Sequence, residues 1–138
     1  MKIYLGCKRQ KNECTYCYTI YTDDRKVHHD IKKVESYGNF LDYIKAYEWG
    51  LNRLKVMAQN KVVDENEELT ILIESKNVYT WFEKGVATQP YLNAFCDLQW
   101  ALSLIVNPTV ILHSKTVNKN LIMKKQKEEV FKITDLLG

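Results

Sequence analysis

Residues 69–78, LTILIESKNV, run apolar from Leu69 to Ile73, broken only by Thr70, and then stop at Glu74-Ser75-Lys76-Asn77. So short a run suits a central strand covered on both faces. Glu74 then has two readings: a metal-holding carboxylate at the end of a buried strand, or the polar punctuation that ends one. Immediately beyond it, Ser75 can cap a short helix from Asn77 to about Lys84, and Gly85 stands where left-handed backbone closes a helix.

In front of the strand lies DENEE, residues 64–68, an acidic linker. Before that, Phe40, Tyr43, Ile44, Tyr47, Leu51, Leu54 and Ala58 recur at threes and fours. This spacing predicts a helix from Phe40 to about Gln59 with one buried face and Asn39 as its N-cap. Toward the amino end the period changes to two. Strands are expected over Lys2–Cys7, Glu13–Thr22 and Lys26–Glu35, joined by KRQKN at 8–12 and by Asp23-Asp24-Arg25 in an antiparallel meander.

Toward the carboxyl end, a helix is expected to begin near Pro90, a residue welcome in a first turn. Leu92, Phe95, Cys96, Leu98, Trp100, Ala101, Leu102, Leu104 and Ile105 make it apolar almost all round, so it is either well buried or held against a partner. Asn107-Pro108 ends it, and Thr109–His113 reads as a second short apolar strand. Lys119–Leu137 reads as a lysine-rich terminal helix with Ile122, Val130, Ile133 and Leu137 inward.

A chain of 138 residues is the common size of one domain, and residues 1–138 are read as a single unit. Hydrophobic residues at 46%, charged residues at 27%, two prolines and five glycines describe a folded chain rather than a low-complexity one. Its longest apolar runs, such as ALSLIV at 101–106, are far below the roughly 18 residues that span a bilayer. No signal-type apolar core follows Met1-Lys2, so a cytoplasmic protein without a membrane partner is expected. The net charge of +3 permits a nucleic-acid partner without requiring one, and the basic residues crowd toward the two ends of the chain.

Cys14-Thr-Tyr-Cys17 has the spacing of a zinc or redox pair but lies in CTYCYTIYT, which is strand composition. Residues three apart on a strand point to opposite faces and cannot share one ion. Cys7 and Cys96 come singly, so free thiols in a reducing compartment are expected. Adjacent His28 and His29 likewise part to opposite faces and read as surface or packing residues. Trp81 and Trp100 sit at helical spacing that suits a core or an interface.

The order strand, strand, strand, helix, strand, helix, helix, strand, helix resembles the ribonuclease H fold over nearly the whole chain. That resemblance implies an α/β mixed five-stranded sheet, three antiparallel strands followed by two parallel ones, flanked by helices. It also implies a nuclease in which acids from the first strand, the first helix, the fourth strand and the last helix hold two magnesium ions about 4 Å apart. ILIESKNV places Glu74 where the family's strand-end Asp stands. Asp42 lies near the family's helix carboxylate, and a shifted register points to Glu48 instead. The first strand, KIYLGCK, offers Gly6 or Cys7 where an Asp belongs, and NKNLIMKK sets Asn118, Asn120 and Ile122 around the last acid's place, with no carboxylate before Glu128.

Three functions follow as expectations. The first is a noncatalytic ribonuclease H-like domain with a degenerate site that binds nucleic acid, RNA, DNA or hybrid, with Lys115, Lys119, Lys124 and Lys125 on its phosphates. The second is a nuclease using magnesium or manganese on a rearranged set of Asp42, Glu48 and Glu74, with Glu74 and Asp42 as metal ligands; under the first reading no cofactor is expected. His113-Ser114-Lys115 resembles a polar catalytic loop. The third is an interaction or assembly protein of a phage or mobile element, self-associating or bound to another protein. Nine tyrosines, many in the meander and first helix, motivate it, since tyrosine suits interfaces.

Overall fold

Alternating side chains in the first 35 residues build three antiparallel strands, β1 (Lys2–Gln10), β2 (Glu13–Thr22) and β3 (Arg25–Glu35). The change to a period of 3.6 builds α1 (Leu41–Gln59), and β4 (Leu69–Ile73), α2 (Lys76–Lys84), α3 (Leu92–Ser103) and β5 (Pro108–Leu112) follow. The computed structural model describes residues 1–23, 25–64, 66–105 and 108–113. The expected terminal helix and Ser114, Lys115, Lys119, Lys124 and Lys125 lie outside those residues.

The strands form one mixed sheet in the order β3-β2-β1-β4-β5, antiparallel from β3 to β1 and parallel from β1 to β5. This is the architecture expected from the sequence. Pairing of Ile3 with Ile71 and of Ile3 with Ile20 puts the apolar residues of three strands on one face. Ile44, Tyr47 and Leu51 of α1 and Phe95 and Leu98 of α3 complete the core there. Gly50 lets α1 approach closely, since a Cβ at that position would run into the Leu5 side chain. No helix among the described residues is long and apolar enough to cross a membrane.

Local expectations are corrected at α1, α3 and β4. Asn39 does not cap α1: the N-cap is Phe40, at φ 65° and without a side-chain cap bond. That left-handed backbone is unfavourable for a bulky residue, and the Phe40 ring is held edge-on against Trp81 and Tyr91 at 5.7 and 5.3 Å. α3 begins two residues past Pro90 with Tyr91 as its N-cap, because the Tyr91 ring is stacked on Trp81. Nor is α3 buried all round. Phe95, Leu98 and Ala101 face the core, whereas Trp100 is 69% exposed. β4 also alternates, with Leu69, Ile71 and Ile73 buried and Thr70 and Leu72 only half-buried, rather than being equally covered on both faces.

The four cysteines are free, and among the described residues no group of three or more His, Cys, Asp or Glu side chains could hold a metal. His28 packs as expected, stacked on Tyr18 and 2.9 Å from its hydroxyl through Nδ1.

Candidate functional site

β4 ends one residue before Glu74, while β1 runs on to Gln10, so the backbone N–H groups of β1 past Leu5 lose their parallel partner. The Glu74 side chain fills part of that gap: its Oε1 accepts from the Cys7 N–H at 3.1 Å. Tyr47, reaching up from α1, accepts the N–H groups of Glu74 and Ser75 on its hydroxyl at 3.2 and 3.0 Å. Ser75 Oγ then accepts from the Val78 N–H and starts α2. Glu74 is thus 5% exposed and placed at the carboxyl ends of β1 and β4, where open α/β sheets build their sites.

Asp42, in the first turn of α1, has no exposed surface. Its Oδ2 accepts from Arg9 Nε at 2.8 Å and from Ser36 Oγ at 2.6 Å, and its Oδ1 accepts from the Tyr37 N–H at 2.8 Å. Burial alone would raise its pKa, but the bonds from Ser36, Tyr37 and Arg9, with the charge of Arg9, outweigh it and hold the carboxyl below its usual range. Asp42 therefore stays ionised as the partner of an arginine.

Next to Glu74 stands Cys7. Its thiol is pushed far above the ordinary thiol range, first by its hydrogen bond to Cys14 and then by burial, with further contributions from Cys14, Glu74 and Asp42. A neutral thiol occupies one of the two positions, Gly6 or Cys7, at which the resemblance implies a first-strand acid. Glu48 points elsewhere on α1: burial and then Asp97 of α3 raise its pKa, and Lys45 and Lys55 oppose them. His113 sets its ring edge-on to Tyr4 at 5.3 Å.

Glu74 is bonded to Cys7 and Asp42 to Arg9, two residues further along β1, whereas Glu48 is close to Asp97 of α3. Among the described residues, these side chains do not make up a site for a pair of divalent ions. Hard cations need several anionic oxygens open to them, and here one acid is sealed and bonded to a guanidinium while the next position is an un-ionised sulfur. Arg9 is the residue that reading the sequence for acids passed over, whereas Cys7 was named only as a missing acid. Their signal was present in the period of two, which puts Leu5, Cys7 and Arg9 on the face that α1 covers.

No protein-family model and no curated protein matches the chain. Solved structures do. The ribonuclease H1 of the halophilic archaeon Halobacterium salinarum matches with a TM-score of 0.70 at 11% identity, covering 86% of this chain and 88% of that one. LC11-RNase H1, solved in complex with RNA/DNA hybrid, gives 0.71 at 16%, covering 85% and 87%. The amino-terminal ribonuclease H domain of a Mycobacterium tuberculosis protein gives 0.64 at 16%, covering 86% and 92%. The chain has a ribonuclease H-like fold.

Proposed function

We propose that the chain acts as a single noncatalytic ribonuclease H-like domain that binds nucleic acid. The observation that carries this reading is the Asp42 carboxylate: it is fully buried, accepts three hydrogen bonds and already has Arg9 as its counter-charge. The thiol of Cys7 beside it supports the same conclusion, since an un-ionised sulfur offers magnesium nothing. Binding draws support from the fold, shared with a protein solved on RNA/DNA hybrid, and from the basic residues Lys115, Lys119, Lys124 and Lys125, proposed as phosphate contacts. Four unpaired cysteines suit a reducing, cytoplasmic setting.

Two assays test the reading together. An RNA/DNA hybrid incubated with magnesium or manganese should remain intact, and filter binding of the same hybrid should weaken steeply between low and moderate salt as phosphate contacts are screened. Cleavage that disappears in Glu74→Gln would instead establish a nuclease that uses Glu74. A protein-binding reading has one observation in its favour, the exposed Trp100 of α3. Light scattering at micromolar concentration tests its self-associating form, with a dimer lost in Trp100→Ala as the supporting result.

A further inference from the structure

We propose that Arg9, Lys45 and the ring of Tyr37 form a phosphodiester-binding patch over Asp42, and that it holds a nucleic-acid strand without a divalent ion. The inference rests on the nucleic-acid reading above and assigns its contact surface. Arg9 spends only Nε on Asp42, and among the described residues its two Nη groups make no other hydrogen bond. The side chain is 36% exposed while its counter-ion is sealed. A buried carboxylate at Nε fixes the plane of the guanidinium and aims the remaining fork outward, which is the geometry that recognises phosphate oxygens.

The same carboxylate anchors the second part of the patch. Asp42 Oδ1 takes the Tyr37 N–H, so the backbone of Tyr37, a residue 58% exposed, is tied to the same carboxylate as Arg9. Lys45, three residues along α1 from Asp42, places Nζ 4.5 Å from the centroid of that ring. A cation on an exposed aromatic ring, with a second cation on the carboxylate that holds the same residue's backbone, supplies the elements of single-strand recognition: phosphates on the charges, a base on the ring. In a metal-dependent site an ion would bring the positive charge to the phosphate; here the arginine is already bonded to the acid that would have held it.

Fluorescence anisotropy of labelled single strands and of an RNA/DNA hybrid tests the patch on the full chain. Affinity should be the same in EDTA and in magnesium at matched ionic strength. Arg9→Ala should weaken binding about tenfold and reduce the salt slope by about one. Tyr37→Ala should weaken it at least about fivefold, and Lys45→Ala less. Tyr37 and Lys45 are surface changes that leave the fold intact, so they decide the matter even if Arg9→Ala melts early by circular dichroism. Wild-type binding left unchanged by Tyr37→Ala and Lys45→Ala overturns the patch while leaving nucleic-acid binding in place. Loss of binding in EDTA also overturns it, as does displacement by millimolar inorganic phosphate beyond the effect of its ionic strength, which marks a free-phosphate pocket. Failure of the wild type to bind any strand removes both readings.

Discussion

Asp42 gathers three donors from two segments, Arg9 of β1 and Ser36 and Tyr37 of the loop before α1, so its loss is felt well beyond its own turn. Asp42→Asn turns one acceptor oxygen into a donor facing donors and leaves Arg9 without its counter-charge. The expected cost is about 2 to 4 kcal/mol, read from chemical denaturation. The pH dependence has a definite sign. A carboxyl held below its unfolded pKa contributes fully above that unfolded value and loses its contribution as pH falls through the folded one. Wild-type stability should therefore drop below about pH 4 more steeply than that of Asp42→Asn, and parallel curves would contradict the assignment. Glu74 and Asp42 were both visible in the sequence as acids near family positions. What they do was not legible there, because Arg9 Nε and the Tyr47 hydroxyl reach them only through tertiary packing, 33 and 27 residues away in the chain.

The junction of β4 and α2 is the element most fully written in local sequence: an apolar run, an acid, Ser75 as cap and Gly85 as a left-handed stop all appear as expected. Ser75→Ala should cost about 1 kcal/mol by the loss of the Val78 N–H acceptor. Tyr47→Phe should cost about 1 to 3 kcal/mol, because two buried N–H groups of the same junction lose their acceptor at once. Both are measured by thermal or urea unfolding, and a smaller effect for Tyr47→Phe than for Ser75→Ala would mean that the hydroxyl is not the anchor of the junction. The starts of α1 and α3 were misread for the opposite reason. Asn39 and Pro90 carry strong local signals, yet stacking among Phe40, Trp81 and Tyr91 sets where the backbone turns. Local chemistry wins where the chain is its own partner and loses where aromatic rings from distant segments meet.

At the scale of the whole molecule, the central question is what balances the negative charge at the carboxyl ends of β1 and β4. A two-metal enzyme of this fold relies on ions there, and its stability is then linked to their concentration: at ten times Kd, a bound ion adds about 1.4 kcal/mol. For a domain of this size that is a rise of about 3 to 5 °C in Tm. Here Arg9 supplies a fixed positive charge to Asp42, and the neighbouring Cys7 is un-ionised. Adding magnesium or manganese to millimolar levels should therefore leave Tm within about 1 °C of a sodium control of equal ionic strength. A saturating rise of several degrees would mean that the acids release Arg9 for an ion, and the noncatalytic reading would fall with it. The reasoning is reciprocal: a site whose counter-charge is covalently part of the chain cannot be tuned by metal supply, so any affinity it has for phosphate must also be independent of metal.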